Sequence, residues 1–171
     1  IVIAVIAVLV VGYIAASKYI LPGVVNKAFN TAIDSSVNNL NFDSAQSMVV
    51  NQQVTSVKGI LDTETMNKGV INIDGKSQNN QITGNIKYLG QKPTVDYQVK
   101  TDSRVEGSFG AFTISSSDQE GEERTLHFPT NLETGFVVTL GAGKANINLS
   151  DLNTSNINIT AGAGVVDVTF P

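Results

Sequence analysis

Hydrophobic and polar positions along this chain change their rhythm twice. The first seventeen residues, IVIAVIAVLVVGYIAAS, carry no charge and are apolar on every helical face. A helix apolar all round belongs in lipid or inside a bundle. Seventeen helical residues span roughly 26 Å, close to the thickness of a bilayer's hydrocarbon core. Further on, Val25, Phe29, Ala32, Ile33, Val37 and Leu40 recur at helical spacing, with Asn26, Lys27, Asn30 and Asp34 on the other faces. Pro22 and Gly23 stand between the two stretches and predict a kink. The expectation is one long bent helix ending near 41–43. From about residue 47 the period becomes 2. Strands are predicted over 48–57, 69–74, 81–88, 94–100 and 110–115, with turns at Asp74-Gly75, Leu89-Gly90, Pro93 and Glu106-Gly107. The run SSSDQEGEER (115–124) reads as a solvated acidic loop.

The last third contains a repeat. TLGAGKANINL (139–149) aligns with TAGAGVVDVTF (160–170) at a shift of 21 residues. Apolar positions match in alternation: Phe136 with Ile157, Val138 with Ile159, Ala145 with Val166, Ile147 with Val168, Leu149 with Phe170. A repeat of this length predicts stacked coils of a β-solenoid. Gly141, Gly143, Gly162 and Gly164 are then its corners, and at least one glycine of each triplet is expected at positive φ or in a bulge conformation. The expected fold class is α+β: a long N-terminal apolar helix (1–22), an amphipathic continuation (23–43), and an all-β domain (44–171) ending in a short β-solenoid with ~21-residue repeats at 132–171. If the last coil is open, its unpaired edge needs a cover. Residues 47–131 or a neighbouring subunit would supply it.

Two family resemblances follow from these residues. The uncharged start, with its first cations Lys18 and Lys27 after the apolar run, resembles type IV pilins and archaeal pilin-like filament subunits. Those proteins are cut just before the hydrophobic stretch. Pro22 sits about where many pilins have a proline, whereas Val5 stands where bacterial pilins usually carry Glu. This resemblance implies a helical polymer in which Ile1, Ile3, Val5, Ile6, Val8, Leu9, Val10 and Ile14 form the assembly core. The Gly-Ala-Gly corners, the link Leu149-Ser150-Asp151-Leu152 and the ending Phe170-Pro171 resemble the toast-rack family of adhesin-type and envelope-stress domains. That resemblance implies a cell-surface β-solenoid and no reaction.

Composition narrows the function. Net charge is −4 and the cations are scattered singly, so nucleic acid is not an expected partner. Cysteine is absent, which removes disulfides and thiolate metal sites. One histidine, His127, cannot by itself make a zinc site, and Asp62, Glu64 and Asp74 lack EF-hand spacing. Gly141-Ala142-Gly143-Lys144 is no phosphate loop, because Val138 stands where that loop needs Gly and Ala145 where it needs Ser or Thr. Asn148, Asn153 and Asn158 each open an Asn-x-Ser/Thr triplet and are possible glycosylation acceptors. No catalytic residue, metal, cofactor or small-molecule substrate is expected. The expected function is a structural subunit of an extracellular filament, a homopolymer built from N-terminal helices and β edges, with a membrane-inserted precursor. The alternative is a single-pass, membrane-anchored envelope protein whose β-solenoid binds a partner or senses stress.

Overall fold

The computed structural model describes residues 40–55, 57–101, 107–117 and 120–171. The helix expected over 1–43, with its kink at Pro22-Gly23 and its assembly core, lies almost wholly outside these residues. Its last part, 40–43, is not helical. It is irregular and ends in a turn in which Ala45 N donates to the Phe42 carbonyl (3.1 Å). The α+β class is therefore corrected to all-β: every regular element among the described residues is a strand. None of the described residues forms a helix long and apolar enough to cross a membrane.

The strands are β1 (Gln46–Gln53), β2 (Gly59–Ser77), β3 (Gln81–Tyr88), β4 (Thr94–Thr101), β5 (Ser108–Ser115), β6 (Glu122–Pro129), β7 (Glu133–Asn148) and β8 (Asn153–Thr169). All eight belong to one sheet. β2 organises it. Its first half pairs in parallel with β5 and its second half in parallel with β6, while β7 runs parallel along its other side. The sheet thus splits into two arms that meet at a corner in β2. The first arm has β4, β5 and the first halves of β2, β7 and β8. The second has β1, β3, β6 and the second halves.

The inward parity shows the fold-over. Ile60, Asp62, Glu64 and Met66 are buried before the corner, and Gly69, Ile71 and Ile73 after it. A strand keeps one face inward by period 2, so this change of parity marks a bend. The arms then close on a shared core. Phe112 of β5 meets Phe128 of β6 edge-on at 6.2 Å, and Phe128 meets Phe136 of β7 at 5.1 Å. The result is a nearly closed, barrel-like sheet around Ile71, Ile82, Ile86, Ile114, Leu126 and Val138, all fully buried.

The stack expected over 132–171 begins earlier in the chain than the two repeats. β7 and β8 continue a stack that β2 begins. From Gly135 onward the offset between β7 and β8 is 21 residues, so Phe136 faces Ile157 and Ile147 faces Val168. The same corner occurs in β2, where Met66, Lys68 and Gly69 face Leu140, Ala142 and Gly143. Gly69 and Gly143 both have left-handed backbone, φ +144° and +147°. A Cβ on Gly143 would lie 1.9 Å from the Gly69 carbonyl oxygen, so no side chain fits there. Gly162 and Gly164 lack positive φ; a Cβ there would meet carbonyl oxygens at 2.7 and 2.5 Å.

Other boundaries moved as well. The turn expected at Asp74-Gly75 is inside β2, and the chain reverses at Asn79 and Asn80, both at positive φ. The acidic loop is shorter than expected, because Glu122, Glu123 and Arg124 belong to β6.

Candidate functional site

The second arm turns a broad polar face outward. Its strands carry period-2 sequences whose polar positions fall in register. One row reads Asn85, Thr125, Asn72, Asn146 and Asp167 across β3, β6, β2, β7 and β8. The next reads Asn51, Thr83, His127 and Asp74 across β1, β3, β6 and β2. In-register amides can bond along a sheet, and Asn146 Nδ2 donates to Asn72 Oδ1 at 2.7 Å.

Asp74 is the focus of the second row. Lys76 Nζ lies 2.7 Å from its Oδ2, and His127 Nδ1 lies 2.5 Å from its Oδ1. Burial alone would raise the Asp74 pKa, but the hydrogen bonds from Lys76 and His127 hold it below the ordinary carboxylate value. Between Asn72, Asp74, Lys76, Asn146, Asn148 and Thr169 lies a groove of about 370 Å³. It is open, with Ile73 and Ile147 among polar side chains, and its donors and acceptors suit a polyhydroxylated or amide-bearing ligand.

The sequence singled out His127 but not its setting. Asp74 is 53 residues away in the chain and reaches it only through the parallel pairing of β2 with β6. The three glycosylation candidates are all exposed. Asn148 Oδ1 accepts from Ser150 N (3.0 Å) and shapes the turn after β7, Asn153 opens β8, and Asn158 faces outward on the first arm. Gly141, Gly143, Gly162 and Gly164 lie together at the corner of the stack, away from this groove. A second groove, about 330 Å³, lies on the first arm between Lys58, Leu61, Phe109 and Glu133.

A second polar cluster is sealed in the core. Asp62, Glu64, Glu122 and Arg124 are at most 1% exposed. Arg124 donates to Glu64 Oε2 (2.6 Å), to Glu122 Oε2 (2.8 Å) and to the Thr65 and Ile114 carbonyls (2.9 and 3.3 Å). Three carboxyl groups share one guanidinium, and burial of charge is costly. Burial, with the charge of Glu64 beside it, pushes Asp62 well above the usual carboxylate range. Burial pushes Glu64 up to about 7, against the pull of Arg124. Protonation of Asp62 would let it donate to Glu64, giving one Asp62 oxygen and one Glu64 oxygen a partner. No group of His, Asp and Glu among the described residues is arranged to hold a metal ion. The cluster ties β2 to β5 and β6 and is closed to ligands.

The comparisons agree with this architecture. No curated protein matches the chain. A solved structure of a candidate cell adhesion protein from Clostridium sporogenes ATCC 15579 shares the fold, with a TM-score of 0.58 and 18% identity. The match covers 71% of this chain and 58% of that one, so this chain spans a little over half of that protein's length. Neither that structure nor the matching family is a pilin, and the filament reading rests on residues outside those described. Residues 33–171 match the N-terminal domain of toast_rack, and the chain belongs to that family.

Proposed function

We propose that this protein is a binding module of the cell envelope, in which the outward face of the second arm holds a polyhydroxylated envelope partner such as a glycan. The observation that carries the reading is the row Thr125, Asn72, Asn146 and Asp167, set in register beside the Asp74–His127 pair. A flat row of amides and hydroxyls offers alternating donors and acceptors at the strand spacing of ~4.8 Å, comparable to the size of a sugar ring. A rigid sheet holds them at little entropic cost on binding. The fold shared with a candidate cell adhesion protein supports an adhesive role. In this reading the role is recognition, and the His127–Asp74 pair helps to fix the polar face.

Binding to purified envelope polysaccharide, measured by titration calorimetry, tests this. The double variant Asn72→Ala/Asn146→Ala is expected to lose at least about tenfold in affinity, as removing a few ligand hydrogen bonds does. Being on the surface, it should change stability by only about 0.5 kcal/mol. Unchanged affinity in this variant would remove the face from consideration.

A further inference from the structure

The charged side chains sealed in the core come from both arms. Asp62 and Glu64 stand on the first half of β2, and Glu122 and Arg124 on β6 of the second arm. They meet where β2 changes partners, between Thr65 beside Ser115 of β5 and Gly69 beside Glu122 of β6. Arg124 closes that seam. It bonds the Thr65 and Ile114 carbonyls as well as Glu64 and Glu122. All three of its nitrogens are committed in this way, and none of these bonds reaches Asp62. Both Asp62 carboxyl oxygens are buried without a hydrogen-bond partner among the described residues. Three ionised carboxyl groups would carry more negative charge than one guanidinium can offset in a dry core. No other charged side chain among the described residues is buried. The inward positions of β1, β5 and β7 hold no ionisable group. Tyr88 of β3, opposite Glu122, sends its hydroxyl to Gln46 (3.1 Å), and burial pushes Tyr97 of β4 above the ordinary phenol value.

We infer that this cluster is a pH-operated latch between the two arms: closed while Asp62 holds its proton, it releases β6 from β2 and β5 as the pH rises. In the closed form Arg124 spans the seam and the carboxyl groups stay dry. Once Asp62 and Glu64 ionise, no donor in the core is left for the added charge. Parting β6 from the seam lets water reach it. The direction follows from burial, which raises the pKa of both groups in the closed form. Exposed by opening, they ionise at ordinary values, so each pH unit above those values favours the open form by up to tenfold per group. The seam is the weak place because there β2 passes from one partner to the other, and side chains rather than ladder bonds join the arms. On β6 the inward Glu122 and Arg124 alternate with the outward Thr125 and His127. The latch therefore also sets how rigidly the polar face is held. That consequence rests on the binding role proposed above, whereas the latch itself does not.

Amide hydrogen exchange on the full chain in mild detergent tests this, with no ligand present, so the latch and the binding role stand or fall separately. Uptake is followed at pH 5 and pH 8 in peptides covering 122–129 of β6 and 143–148 of β7, and is corrected for the intrinsic pH dependence of exchange. Protection of the β6 peptide is expected to fall at least about tenfold from pH 5 to pH 8. The β7 peptide, which carries no member of the cluster, should lose far less. The double variant Asp62→Asn/Glu64→Gln leaves Arg124 a single carboxylate, Glu122, and should protect β6 equally at both pH values. Equal protection of β6 in the parent at pH 5 and pH 8 would overturn the inference, and this measurement decides even if the variant does not fold. So would a β7 loss as large as that of β6, which would mean that the whole domain weakens together. A folded double variant that keeps the parent's full pH dependence would overturn it as well.

Discussion

Asp62 and Glu64 show how far a single residue can depart from its pattern. Both occupy inward positions of β2 that period 2 would assign to apolar side chains. That substitution hid the first half of β2 from sequence reading. Glu122 and Arg124 were hidden for the complementary reason, because a charged stretch with Gly121 reads as solvent. Only the parallel pairing of β2 with β6 and β5 brings the four together. Their chemistry gives a definite pH dependence. An acid whose pKa rises on folding stabilises fully below its unfolded value, and that stability is lost as pH climbs toward the folded value. For Glu64 the window runs from about 4.5 to about 7, and Asp62 extends it upward from 3.8. Asp74 works in the opposite sense but only below its ordinary 3.8, outside that window. The melting temperature is therefore expected to fall as pH rises from 4.5 to 7. Asp62→Asn, which never ionises, should remove Asp62's share of that fall and leave the share due to buried Glu64. A parent whose melting temperature is level across this range would show that the carboxyl groups keep ordinary values in the fold.

Among the elements, the corner separates what strand patterns reveal from what they do not. The Gly-Ala-Gly triplets of β7 and β8 were legible because both copies keep two glycines and similar flanks. The β2 copy was not, because Asn67 replaces the first glycine and only Gly69 remains. The 74-residue offset between β2 and β7 is also too long to read as a repeat. The three corners differ in what they need. Gly143 combines left-handed backbone with a carbonyl oxygen 1.9 Å from any Cβ, whereas Gly164 has ordinary φ and a contact of 2.5 Å in β8, which among the described strands pairs with β7 alone. Gly143→Val should thus cost more than Gly164→Val. Strain at such a φ alone costs ~1–3 kcal/mol, and the edge strand can shift to relieve the other clash. Urea melts of the two variants decide this, and equal losses would mean the corners are equivalent. The N-terminal helical reading concerns a part of the chain on which the strands bear only at residues 40–43, where the amphipathic pattern gives way to a turn.

For the molecule as a whole, the direction of the strands has a mechanical consequence. β6 is parallel to β2, β3 antiparallel to β6 and β1 antiparallel to β3, so β1 runs parallel to β8 at the opposite edge of the same arm. Gln46, at the start of β1, lies in the row of the Gly164 corner, and Thr169 lies at the far end of the arm. A pull between residues 46 and 169 therefore has a large component along the strands. Under such shear, many ladder hydrogen bonds of an interface bear load together and must fail nearly at once. A pull between residues 51 and 169 runs across the strands and peels them bond by bond. Forced unfolding reports the barrier to leaving the native state. Single-molecule pulling at 46 and 169 should need more force than at 51 and 169. By this geometry the sheet resists load best along its strands, from the start of β1 toward the end of β8.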